Sequence, residues 1–303
     1  MGASLRELRQ RRKSVTATKK ITRAMELIAS SRVLKAQQQA AKALPYTREL
    51  NRAVSAVATY SQLDHPLTRP VPNPRRVAVL FITSDRGMNG AYSSNVLKTV
   101  SQLRQRLDEQ GIEMVRYGVG RKGIGYMTYR GLELAAHWEG FSDLPTYDRA
   151  VEISDRLLED FLKPYEEGGV DEIWTVYTRM QSMLTQTPRA RRILPLEVVE
   201  GVREVSGEEL LPLYEFEPSP EAVLDSLLPL YVRSRIWFYL LQSAASQLAS
   251  QQKAMKSATD NAQTLIERLT REANQARQSE ITQEISEIVG GASALADLTK
   301  DDH

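Results

Sequence analysis

The sequence predicts an α/β fold: a long antiparallel coiled coil of N- and C-terminal helices with a Rossmann-like α/β domain inserted between them. Three observations carry this expectation. Two terminal segments show heptad-like apolar spacing, a central segment alternates strand and helix patterns, and proline-rich breaks separate the three. The expected boundaries are 1–63 for the N-terminal helix, 75–200 for the inserted domain, 219–290 for the C-terminal helix and 291–303 for a tail.

The N-terminal segment is helical in pattern, with Leu5, Leu8, Val15, Ile21, Met25 and Ile28, then Ala36, Ala40 and Ala43, as candidates for one apolar face. It stops before residues 64–74, DHPLTRPVPNP, whose four prolines fix φ and remove backbone donors, so that a helix cannot cross them. From there RRVAVLFITSD reads as a buried strand, followed by a helix over about 91–110 and a second strand in IEMVRYGVG. A further helix and strand follow, then a helix from about Tyr147 to Tyr165, a strand in DEIWTVYT and another in ARRILPLEVV. Strands alternating with helices imply a mostly parallel, doubly wound sheet.

The second break ends at Pro218-Ser219-Pro220, where serine followed by proline is a helix start. Beyond it, small or apolar residues recur with 4-3 spacing: Leu241, Ala245, Leu248, Gln252, Met255, Thr259, Ala262, Ile266, Leu269, Ala273, Ala276. This is a heptad seam. A helix from Pro220 to Val289 would run on the order of 100 Å at 1.5 Å per residue, longer than a compact domain holds. The seam is alanine-rich and includes Gln252 and Thr259, so its partner must approach closely. The N-terminal helix is that partner, since each helix alone would expose its stripe.

Composition removes several classes of function. The 303 residues carry 40 Lys and Arg against 38 Asp and Glu, a net charge of +2, so nothing global points to nucleic acid or anionic lipid. Cysteine is absent, and His65, His137 and His303 lie far apart in sequence, which leaves no thiolate or histidine cluster for a metal. No apolar run reaches the roughly 18 residues of a membrane span. The charged first turns, without an apolar leader core, imply no export.

Two turns could carry chemistry. Gly118-Val119-Gly120-Arg121-Lys122-Gly123 satisfies G-x-G-x-x-G after a strand and before a helix, as a dinucleotide site would. It follows the second strand, however, and Glu139 and Asp143 are poorly placed as the acidic ribose partner, so tight packing is the favoured reading and no cofactor is expected. Thr83 to Gly90, TSDRGMNG, ends the first strand; its bland reading is a helix-capping turn with Ser or Asp on exposed amides. Residues 5–35 are strongly basic, with ten Lys and Arg against Glu7 and Glu26. Without interleaved aromatics this helix fits an acidic protein track better than nucleic acid.

Four stretches resemble one family. VTATKKITRAMELIASSRVLKAQ, FITSDRGMNGAYSSN, AMKSATDNA and NQARQSEITQEISEIVGGASAL are similar to the signatures of the gamma subunit of F-type ATP synthases, in order and over almost the whole chain. The resemblance implies a non-catalytic shaft without cofactor. Its paired helices would pass through a ring of alternating alpha and beta subunits, and its inserted domain would meet the epsilon subunit and the membrane c-ring. It further implies that Arg277 and Gln278 touch a beta-subunit loop, with Thr282, Glu284 and Glu287 in the neighbouring coupling region. Lys19, Lys20, Arg23 and Met25 would lie near an acidic beta-subunit lever. Membrane association would then be indirect, on the cytoplasmic side of a bacterial membrane. Two departures stand out: Ser250-Gln251-Gln252 where relatives carry a basic residue, and GMNGAYS in place of GLCGGYN. The former implies that one contact with the ring is missing or rewired. The competing readings are an NAD-dependent oxidoreductase using Gly118 to Gly123 and a basic coiled-coil scaffold for nucleic acid.

Overall fold

The computed structural model describes residues 4–61, 71–196 and 217–298. Ten elements follow one another: α1 (Leu5–Ser61), β1 (Arg76–Ile82), α2 (Tyr92–Glu109), β2 (Glu113–Val119), α3 (Arg121–Tyr129), β3 (Ala136–Trp138), α4 (Tyr147–Leu162), β4 (Glu172–Met180), β5 (Gln186–Leu194) and α5 (Pro220–Leu298). The described chain divides into two compact units, one holding α1 up to Ile28 and α5 from Ala254, the other Ala29–Lys253.

In the second unit the sheet has the order β3-β2-β1-β4-β5. The first four strands are parallel and β5 runs antiparallel to β4. Only residues 181–185 separate β4 from β5, far fewer than a parallel crossover needs, so the chain turns back as a hairpin. β1 lies at the centre, and Val77 to Ile82 are buried on both faces. On one face α2 and α3 contribute Val96, Val100, Leu103, Leu107 and Met127. On the other, Ile153 and Leu157 of α4 pack with Val54 and Val57 of α1 and with Leu224, Leu228, Val232 and Ile236 of α5. The terminal helices therefore complete the sandwich that the inserted segment begins.

α5 starts where its sequence signal lies: Pro220 is its first residue, and the Ala222 amide donates to Ser219 Oγ at 3.2 Å. It continues through Gly290 and Gly291 to Leu298, past the expected end near Val289. Between Tyr239 and Ala249 every residue except Gln242 is buried, so this stretch is enclosed on all sides. Its polar side chains take up the end of β4: Ser243 Oγ accepts from the Thr178 amide, Ser246 Oγ donates to the Thr178 carbonyl and Gln242 Oε1 accepts from the Met180 amide. Val33 and Ala36 of α1 pack on Ala245, Leu248 and Ala249, and Thr47 meets Ser234 at 2.9 Å, so the helices run antiparallel here.

In the first unit the same two helices pair antiparallel. Leu8 packs on Leu269 and Ala273, and Thr22 and Thr259 share a buried hydrogen bond of 2.8 Å. α1 opens with a capping box, the Ser4 amide donating to Glu7 Oε2 and the Glu7 amide to Ser4 Oγ. Every expected seam position of α5 is buried or half-buried. The α1 face needs correction. Ile21 and Ile28 are 61% and 55% exposed, and Thr22, Glu26, Ala29 and Val33 are buried instead. Thr22 and Ala29 are small and suit the close approach that the alanines of α5 set, while the buried Glu26 is held by Arg23 at 2.9 Å.

Candidate partner interface

The glycine motif is accounted for by packing. A Cβ on Gly118 would lie 2.7 Å from Phe81 Cζ, and one on Gly123 2.6 Å from both Phe81 Cε2 and Thr83 Oγ1. Gly120 has φ +92° and would place a Cβ 2.3 Å from the Thr83 carbonyl oxygen. Thr83 occupies the space so created: its hydroxyl donates to the Val119 carbonyl at 2.8 Å and accepts from the Gly123 amide at 2.9 Å. These glycines let β2 and α3 close onto β1.

The TSDRGMNG turn does put an Asp on an exposed helix amide, but on that of α3 rather than of α2. Asp85 does not cap α2, the helix that follows it. It accepts from the Arg121 amide at the start of α3 at 3.1 Å and from the Ser142 amide at 2.9 Å, while its own amide donates to Ser142 Oγ at 2.8 Å. Burial alone would raise its pKa, but backbone amides of Gly140, Ser142 and Arg121 outweigh that and hold the carboxylate below its usual range. At the head of α2, Ser84 and Ser93 hydroxyls pair at 2.7 Å. Met88 protrudes from the turn with positive φ and is 59% exposed.

All nine residues expected to contact partners lie in the first unit. On α1, Lys19 is half-buried and its Nζ donates to Gln263 Oε1 across the pair. Lys20 is exposed, Arg23 forks onto both oxygens of Glu26 at 2.9 Å, and Met25 is half-buried beside them. On α5, Arg277, Gln278, Thr282, Glu284 and Glu287 are all exposed. Thr282 Oγ1 returns to the Gln278 carbonyl at 2.9 Å, and Gln283 donates to Glu287 at 3.0 Å. The two groups are not brought together. Lys19 sits opposite Gln263, and positions 277 to 287 lie about 20 to 35 Å further along α5 at 1.5 Å per residue. They form two stations on one helix pair.

Sequence reading missed a third feature. From Arg277 to Ala292 every side chain of α5 is exposed, including Ile281, Ile285, Ile288 and Val289 at 44% to 71%. Their i, i+4, i+7 spacing marks a stripe, rotated one position from the seam that ends at Ala273 and Ala276. The spacing was available in the sequence; only the structure shows that no described residue covers it.

Fold and surface together define a class: a long antiparallel helix pair joined to an α/β domain with a parallel sheet. A family model described as ATP synthase matches residues 4–295. ATP synthase gamma chains from a Nocardioides species and from Thermobifida fusca are 61% and 57% identical to this chain, each alignment covering 98% of both sequences. Among solved structures, a chain of the Euglena gracilis mitochondrial ATP synthase rotor superposes with a TM-score of 0.63 at 15% identity, covering 91% of this chain and 98% of that one. A chain of the Tetrahymena thermophila central stalk and c-ring superposes at 0.57 and 17% identity, covering 78% and 99%. The chain belongs to the ATP synthase gamma-chain family. Its function is that of a gamma chain of ATP synthase.

Proposed function

We propose that this chain is the shaft that couples rotation of the membrane c-ring to the catalytic sites of an alpha and beta subunit ring. The single observation that carries the reading is the last part of α5, whose apolar stripe no described residue covers and on which Arg277, Gln278, Thr282, Glu284 and Glu287 are all exposed. A helix exposing four large aliphatic residues is stable in water only at a cost, which a surrounding sleeve of other subunits removes.

In this reading Arg277 and Gln278 meet a beta-subunit loop, and Thr282, Glu284 and Glu287 lie in the adjoining coupling region. Lys19, Lys20 and Arg23, with Met25 between them, face an acidic beta-subunit lever whose sign they complement. The α/β domain sits outside the ring with the epsilon subunit and the c-ring. An asymmetric shaft presents different side chains to three otherwise equivalent sites, so each site is biased toward a different conformation and rotation cycles the three. No helix among the described residues is long and apolar enough to cross a membrane, in keeping with a peripheral subunit held at the cytoplasmic face of a bacterial membrane through its partners.

The test is to purify the tagged chain from its native membranes and compare ATPase activity and proton pumping of the complex with and without Arg277→Ala and Gln278→Ala. Co-elution with alpha, beta and epsilon subunits, and pumping reduced by the substitutions, is the expected result. A chain that elutes alone overturns the reading.

A further inference from the structure

The β4–β5 hairpin carries two thioethers that converge on one amide. Met180 is the last residue of β4 and Met183 lies in the turn of residues 181–185. Gln37 Nε2 of α1 donates to Met180 Sδ and to Met183 Sδ, each at 3.6 Å. A thioether is a weak acceptor, so both N–H groups of this amide are spent on bonds that an oxygen would make better. The turn itself is fixed without the Met183 side chain. Ser182 Oγ accepts from the Leu184 and Thr185 amides, and Gln186 Nε2 donates to the Ser182 and Met183 carbonyls.

The two sulfurs differ in access. Met183 is 37% exposed. Met180 is half-buried and packs on the cluster of Val33, Ala36, Ala245 and Leu248, where a polar group would be costly. Beside the pair lies a cavity of about 320 Å³ bordered by Gln37, Ala40, Leu44, Met180, Ser182 and Gln242, which leaves an enlarged side chain room to turn. All of these residues belong to the second unit.

We propose that Met183 is a site of reversible oxidation and that Gln37 reads its state. A hydroperoxide transfers one oxygen atom to Met183 Sδ: the S–O bond forms, the O–O bond breaks, sulfur is oxidised to the sulfoxide and the peroxide leaves as an alcohol, or as water where it is hydrogen peroxide. The sulfoxide oxygen is a strong acceptor, and the donor already beside it is Gln37 Nε2. A hydrogen bond to oxygen then replaces the weak one to sulfur and fastens the turn to α1. Because the Met180 amide is held by Gln242 of α5, the oxidised hairpin ties α1, the sheet and α5 at one joint. A thiol-dependent reductase reverses the step, returning the thioether and water while two thiols become a disulfide.

The experiment treats the full chain with hydrogen peroxide, maps sulfoxides by peptide mass spectrometry and follows hydrogen exchange of residues 181–185. Met183 should be oxidised about fivefold or more faster than Met180, as its exposure dictates. Exchange in the turn should then slow by about threefold or more, the effect of one added hydrogen bond. Gln37→Leu should still be oxidised at Met183 but lose the slowing. Met183→Gln, which carries a carbonyl oxygen, should show the slowing without peroxide, and Met183→Leu should not show it at all. Oxidation of Met180 as fast as that of Met183 overturns the assignment of the site. Turn exchange that is unchanged or faster after oxidation, slowed equally in Gln37→Leu, or unslowed in Met183→Gln overturns the reading by Gln37.

Discussion

At the residue scale, conformational and electrostatic demands are met by single side chains whose neighbours come from distant parts of the chain. Gly120 and Gly125 lie five residues apart, yet only the former has positive φ and a backbone oxygen where its Cβ would be. Gly120→Ala should destabilise the chain by about 2–4 kcal/mol. Gly125→Ala, in a helix with nothing within 4 Å, should stabilise it by up to about 1 kcal/mol. Chemical denaturation of the two variants measures both, and equal effects would contradict the packing account of the motif. Asp160 makes a second case. Its carboxylate accepts from Tyr117 Oη at 2.7 Å and pairs with Arg156 and Lys163 at 2.9 Å. Burial would raise its pKa, but these three donors outweigh that and hold it below the usual value. A depressed native pKa contributes stability above the unfolded value of about 4, and that stability is lost as pH falls through the native pKa. Asp160→Asn should therefore flatten the acid limb of the curve of stability against pH below about pH 5. An unchanged limb would show that Asp160 carries no such linkage.

At the element scale, the helix pair in the first unit rests on few large side chains. Leu269 is fully buried against Leu8 and Ala273. Leu269→Ala should cost about 2–5 kcal/mol. Hydrogen exchange of the α1 amides before Ile28 should quicken in that variant, while exchange in β1 stays unchanged. Thr22→Val should cost no more than about 1 kcal/mol, because Thr259 Oγ1 keeps the Met255 carbonyl at 2.9 Å and is not orphaned. The α5 seam was legible in its 4-3 spacing, which needs only the helical period. The α1 face was less so: Ile21 and Ile28 fit a stripe by hydrophobicity, but Thr22 and Ala29 are the residues buried in the seam. Proline shows a similar limit. α1 passes through Pro45 and α5 through Pro229, whereas Pro66 and Pro70 of the expected break lie outside the described residues.

At the scale of the whole molecule, exposed residues are expected to act only in the assembly. Ile285→Asp with Ile288→Asp should leave stability of the isolated chain within about 0.5 kcal/mol, since both side chains are more than half exposed. In the complex the same pair of changes should weaken coupling of ATP hydrolysis to proton pumping. Loss of stability in the isolated chain would mean that the stripe is covered within it. What the sequence determined by itself was periodicity and punctuation: the two long helices, the alternating middle, their breaks, and a resemblance strong enough to name a family. What only the tertiary structure decided was adjacency. It turned β5 antiparallel, sent Asp85 to the start of α3 and chose Thr22 over Ile21 for the seam. The physical reason is that a helical or strand period depends on neighbours a few residues away, whereas a close approach or a capped amide depends on which distant segments the packed core brings into contact.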